Sequence, residues 1–222
     1  MGVALAEALG VRPGMTSVIG SGGKTSLIVA LARELPGTVV LTTTTHILPF
    51  EGVPLLVSPT ADDVRAALAG SRVVCVGSRD EKNGKLVTPS LGIDALAALA
   101  DYVLVEADGA RRLPLKAHAT WEPVIPACSN RTIVVFGASG LDHPVSEKVH
   151  RPELFCKLTG CAPDDAATPE LVARAANAEA LADIALVNQA ETSPGRAHEL
   201  AALLATPALV GSVRLGSIEP VS

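Results

Sequence analysis

Residues Gly20 to Ser26 read GSGGKTS and follow directly on a short apolar run, Met15 to Ile19. A strand that ends in a glycine-rich turn and opens into a helix is the order of a phosphate-binding loop. Its glycines, Gly20, Gly22 and Gly23, allow a tight turn that gathers backbone N–H groups around an anion. Lys24 can reach β- and γ-phosphates, and the Thr25 hydroxyl can ligate Mg²⁺, with Ser21 and Ser26 completing the loop. The helix expected from Lys24 to Glu34 points its positive end at the same place. An ordinary glycine turn before a helix is the plainer alternative. The loop is also shorter than the common pattern, which places four residues between the first glycine and the Gly-Lys pair; here only Ser21 and Gly22 separate Gly20 from Gly23.

Beyond the loop, strand-like runs alternate with Ala-rich helical ones. Strands are expected at Thr38–Thr42, Pro54–Ser58, Arg72–Gly77, Tyr102–Glu106, Thr132–Phe136, Ile184–Asn188 and Ala208–Leu215. Helices are expected at Ala61–Ala69, Ile93–Ala100, Pro169–Ala176 and Pro194–Leu204. Near-continuous apolar strands with helices between them imply a three-layer α/β sandwich, its mostly parallel sheet covered on both faces. Val73–Thr88, with Asn83-Gly84 as a turn, reads as a β-hairpin or antiparallel edge. The Pro-rich stretches Leu113–Pro126 and Asp142–Pro152 read as ordered loops over the active face. At 222 residues the chain suits one domain.

Composition narrows the function. Aromatics are 2% of residues, too few for a single-strand stacking surface, and the formal net charge is -5. Neither nucleic acid nor a membrane is an expected partner. No apolar run approaches the ~20 residues that cross a bilayer, and no signal peptide is evident, so a cytoplasmic location is the default expectation. The four cysteines, Cys75, Cys128, Cys156 and Cys161, contain no C-x-x-C pair and read as reduced thiols.

Three further clusters carry candidate chemistry. The strand Tyr102–Glu106 runs out into EADG. Glu106 and Asp108 are therefore candidates to hold Mg²⁺ or orient a nucleophile, and Gly109 to let backbone approach a γ-phosphate. A polar strand end with a helix cap is the alternative. LTTTTH (Leu41–His46) offers threonine hydroxyls, Thr44 among them, for the metal or the γ-phosphate, although threonine also favours strands for its shape alone. LVNQAE (Leu186–Glu191) resembles the N-K-x-D base-reading motif, with Asn188 kept, Gln189 in place of lysine and Glu191 in place of aspartate. A plain strand-end loop is the alternative, and ATP and GTP both stay open. Among the basic residues Arg111, Arg112, Lys116, His118, His143, Lys148, His150 and Arg151, Arg111, Lys116, His150 and Arg151 are the candidates to clamp an anionic substrate.

Taken together, GSGGKTS, TTTTH, VEADGARRLPLKAH, GLDHPVSEKVHRPE and LVNQAE resemble the YqeC family, from about Val11 to Asn188. The resemblance implies a P-loop NTPase-like fold. It also implies a role in maturing selenium-dependent molybdenum hydroxylases, with a hydroxylase or another cofactor-maturation protein as partner. Gly20–Ser26 would be the phosphate loop, Glu106, Asp108 and Gly109 the acidic switch followed by Lys116, and His150, Arg151, Pro152 and Glu153 the His-Arg-Pro-Glu block. The expected activity is Mg²⁺-dependent hydrolysis of ATP or GTP; a ligase or kinase is an alternative, because the short loop resembles that of amide ligases of cell-wall synthesis and related P-loop branches, and a nucleotide-gated chaperone is another. The cysteine spacing suggests no selenium-handling pair.

Overall fold

The computed structural model describes residues 4–220. In chain order, α1 (Leu5–Ala8), β1 (Gly14–Gly20) and α2 (Lys24–Glu34) are followed by β2 (Val39–Thr43), β3 (Leu55–Val57), α3 (Ala61–Gly70), β4 (Val73–Arg79) and β5 (Leu86–Val87). Next come α4 (Ile93–Leu96), β6 (Tyr102–Glu106), β7 (Leu115–Lys116), β8 (Ser129–Gly137), α5 (Val145–Lys148), β9 (Val149–His150) and α6 (Pro152–Thr159). The chain continues through α7 (Pro169–Glu179), β10 (Ile184–Asn188), α8 (Pro194–Leu203), β11 (Ala208–Ser212) and β12 (Ser217–Pro220).

One sheet runs in the order β12-β11-β10-β8-β1-β6-β2-β4-β3. Its pairings are parallel except β11–β12 and the hairpin partner β5 on β4, which are antiparallel. The expected antiparallel element near 73–88 is therefore present. Side chains alternate between the two faces, as the period of two requires. On one face Val18, Leu41, Leu104, Ile133 and Leu186 pack under Leu27, Ile28 and Leu31 of α2. On the other, Ile19, Val40, Val103 and Val105 meet Val64 and Leu68 of α3 and Leu96 of α4. Further along that face, Phe136, Ala185, Val187 and Val210 meet Phe155, Val172 and Leu200 from α6, α7 and α8. The result is a three-layer α/β sandwich built with almost no aromatic residues.

Several boundaries differ from the expected ones for local reasons. The helix expected over Ile93–Ala100 stops at Leu96. Ala97, Ala98 and Leu99 instead donate to carbonyls three residues back, tightening the turn, and Gly92 at its start offers no side-chain cap. The strand expected to reach Leu215 ends at Ser212, because Val213–Gly216 reverses the chain into β12. Helix α7 runs on to Glu179, started by Thr168 accepting from the Leu171 amide with Pro169 behind it. Within the second Pro-rich loop lie a short helix, α5, and strand β9, which pairs with β7 from the first loop; α6 then begins at Pro152. The two loops are thus joined to one another at the carboxyl edge of the sheet.

Candidate functional site

Strand β1 lies at the centre of the sheet, between β6 and β8, so its carboxyl end lies at the middle of that edge. Val18 pairs in register with Glu106, and Thr43 of β2 pairs with the same glutamate. This register is what brings the loop, the EADG turn and the threonine run together. The loop turns on Gly22 (φ +83°), where a Cβ would stand 2.3 Å from the Gly137 backbone. Only glycine lets the loop lie this close to β8. Helix α2 starts at Gly23 with no side-chain cap. The N–H groups of Gly22 through Ser26 donate to no backbone acceptor among the described residues, whereas that of Ser21 is taken by Val135 O at 2.8 Å. The Ser21 hydroxyl is buried and without a partner. An anion seated here would meet unpaired amides and the positive end of α2.

Around the loop sits a buried network of opposite charges. Lys24 folds back so that its Nζ donates to Gly20 O at 2.7 Å and lies 3.0 Å from Asp108 Oδ1 and 3.8 Å from Glu106 Oε1. Asp108 is fully buried. Its Oδ2 accepts from the Gly20 amide at 2.8 Å and also faces His118 Nε2 at 2.8 Å and Lys116 Nζ at 3.1 Å. Oδ1, although close to Lys24, receives no aligned hydrogen bond. Burial pushes the Asp108 pKa up, but His118, Lys24 and Lys116 outweigh it and hold the pKa at about 2. His118 is raised in turn: burial opposes its charge, and carboxylates on both ring nitrogens, Asp108 and Glu179, favour it more.

Glu106 is different. It keeps a small exposed fraction, accepts from the Thr25 hydroxyl at 3.0 Å, and is raised by burial despite the opposing pull of Lys24 and Thr25. Thr25 itself is exposed. A hydroxyl and a carboxylate oxygen converging at an open edge form a donor set that suits Mg²⁺, which is commonly held by one or two protein oxygens and completed by water and phosphate. Asp108 has no such freedom. It braces Gly20, Lys24, Lys116 and His118 from within.

The remaining candidates are distributed unevenly. Thr44 directs its hydroxyl to Val124 O at 2.7 Å, while Thr43 donates to the Glu106 carbonyl at 2.8 Å. Both hydroxyls are spent on backbone. Gly109 accepts a short hydrogen bond from Lys116 through its carbonyl, and Lys116 also reaches Glu122 at 3.0 Å. Glu122 is bonded by Arg151 at 2.8 Å, and the Arg151 guanidinium lies 5.2 Å from the centre of the Trp121 ring. His150 is held below its usual pKa by burial and by Lys116 and Arg151. Arg111 is exposed, with a left-handed backbone at φ 48°. Asn188 ties the loop to the sheet: its amide donates to Gly22 O at 2.8 Å, and its carbonyl accepts from Val213 N at 2.9 Å. Gln189 accepts from Ser139, and Glu191 pairs with Arg214. Glu122 and Glu179 escaped the sequence reading because nothing adjacent in the chain marks a carboxylate whose partner is brought up by folding.

Sheet order, loop and acidic strand end together define a P-loop-like α/β protein. A family model described as YqeC protein matches residues 16–153. The protein named "Uncharacterized protein YqeC" from Escherichia coli (strain K12) is 40% identical over 163 residues, covering 69% of this chain and 63% of that relative. The match thus spans somewhat less than two thirds of the relative's own length. The chain belongs to the YqeC family.

Proposed function

We propose that the chain binds a magnesium nucleoside triphosphate, ATP or GTP, on the Gly20–Ser26 loop. Its hydrolysis would drive maturation of a selenium-dependent molybdenum hydroxylase, the role the family resemblance implies. One observation supports the nucleotide reading above the others: unpaired amides from Gly22 to Ser26 stand beside the converging Thr25 hydroxyl and Glu106 carboxylate. Thr25 and Glu106 would hold the metal, whose chemistry would be to neutralise charge on the phosphates. Lys24 would stabilise the β- and γ-phosphate oxygens by exchanging its contact with Gly20 O for them. Asp108 would act as the brace that aims Lys24 and the Gly20 amide. Lys116, Arg151, His150 and the exposed Arg111 would face the second substrate or a partner protein.

The shortened loop favours a second reading, an ATP-dependent ligase or kinase acting on a cofactor precursor. The two separate cleanly. Hydrolysis whose rate ignores every acceptor supports the first; an acyl-phosphate or phosphorylated product supports the second. The direct test of the shared site is a thermal-shift panel of ATP, GTP and their diphosphates, with and without Mg²⁺, on wild type and Lys24→Ala. A ligand at ~100 times its dissociation constant stabilises by about 2.7 kcal/mol. A melting point that moves with no nucleotide, or moves equally in both proteins, removes the proposal.

A further inference from the structure

Helix α6 ends at Thr159, and Gly160 turns the chain with φ +76°, its amide bonded to Cys156 O at 2.7 Å. This is a left-handed helix stop. In such stops the residue after the glycine folds back onto the last turn and makes an apolar contact there. Here both members of that contact are cysteines. Cys161 lies against Cys156 with the two sulfurs 3.5 Å apart, both half-buried and both free thiols. The four-residue gap in the sequence conceals this pair, since an intervening helix end brings it together.

A disulfide needs ~2.05 Å between sulfurs, so closure asks for about 1.5 Å of sulfur travel. The other two thiols have no such neighbour. Cys75 is fully buried in β4, and Cys128 contacts Met15 and Asp94.

We propose that Cys156 and Cys161 form a reversible dithiol–disulfide site that exchanges with low-molecular-weight disulfides such as oxidised glutathione. One protein thiolate attacks the small disulfide, forming a mixed disulfide and expelling one small thiolate. The second protein thiolate attacks the mixed disulfide at the protein sulfur, expelling the other. Two protein S–H bonds and one small S–S bond are lost; one protein S–S bond and two small thiols are gained. Burial, the neighbouring thiol and the Asp165 and Glu153 carboxylates push the Cys156 thiol up to about 11, so closure depends on a scarce thiolate. This site is independent of any nucleotide.

The test uses the reduced full chain in excess oxidised glutathione, quenched by alkylation and mapped by mass spectrometry after trypsin. Because Lys157 lies between the two cysteines, cleavage there leaves their peptides joined only by the disulfide. The expected result is that linked pair, with Cys75 unmodified, and a closure rate that rises with pH from 7 to 9. At a fixed ratio of reduced to oxidised glutathione, the folded chain should also sit at least about tenfold further toward disulfide than the chain in urea, since the cap holds the sulfurs together. Cys161→Ser, which preserves the cap and its circular dichroism, must abolish the linked peptide. Alkylation or stable mixed disulfides at both cysteines of the wild type, or an equal equilibrium in urea, overturns the proposal.

Discussion

Replacing Asp108 by Asn tests whether this carboxylate is the brace of the site. The side chain is fully buried and faces Lys24, Lys116, His118 and the Gly20 amide at 2.8 to 3.1 Å. Its pKa falls from the ordinary 3.8 to about 2. At ~1.4 kcal/mol per unit, that difference is worth about 2–3 kcal/mol. A carboxylate with a depressed native pKa contributes its full share above the unfolded value of 3.8 and loses it as pH falls through about 2. The substitution itself should cost more, about 3–5 kcal/mol at neutral pH, because two buried lysines keep their charge and lose their partner. Urea unfolding followed by circular dichroism, repeated from pH 7 to pH 2.5, measures both. The gap between wild type and variant should be wide at pH 7 and constant to about pH 4. It should then narrow by about 1–2 kcal/mol by pH 2.5, where the unfolded chain's carboxylate is protonated while the native one is still mostly ionised. A gap below about 1 kcal/mol at pH 7, or one that stays unchanged at pH 2.5, would refute the reasoning.

Three more perturbations probe neighbouring parts. Gly22→Ala places a Cβ 2.3 Å from the Gly137 backbone in a left-handed conformation, so a loss of at least about 2 kcal/mol is expected by thermal or urea unfolding. Glu106→Gln preserves shape and the Thr25 hydrogen bond, and should leave the unfolding free energy within about 1 kcal/mol of wild type; the Mg²⁺-dependent part of nucleotide binding should weaken by tenfold or more in calorimetry. For Asn188→Ala, two hydrogen bonds to Gly22 O and Val213 N disappear together, at a cost of about 1–3 kcal/mol. Hydrogen exchange should then quicken at Val213 as well as around Gly22; faster exchange at one end alone would show that Asn188 does not couple them.

Much of the sheet was legible because buried parallel strands are apolar without interruption. Tyr102–Glu106 and Ile184–Asn188 begin and end where their apolar runs do. The phosphate-loop helix was readable too, from Gly-Lys-Thr at its start. Elements whose signal is tertiary were not. Strands β7 and β9 are two residues each and exist only because they pair with one another across a long separation. Helix α6 did carry a local signature, Pro152 at its first position and Gly160 at its end, hidden by the prolines before it. At the site, residue types pointed to Lys24, Thr25, Glu106 and Asp108. Their division of labour depended on burial, which separates a nearly buried glutamate from a fully buried aspartate two residues later. Asn188 stood out as a base reader, yet both ends of its amide are occupied by the protein's own backbone.

The place of β1 has a consequence for how the chain assembles. It is synthesised first among the strands but sits at the centre of the sheet. Its neighbours pair Gly14 with Tyr102 and Thr16 with Arg131, and the Gly22 carbonyl waits for Asn188. A ribosome adding ~5–20 residues per second needs about 8 to 35 seconds to travel from the loop to that asparagine. Until β8 is made, about two thirds of that interval, this central strand lacks its native neighbours on at least one side. Contacts this distant in sequence make for slow folding. The site is therefore complete only late in synthesis, and the nascent chain exposes its central strand longest.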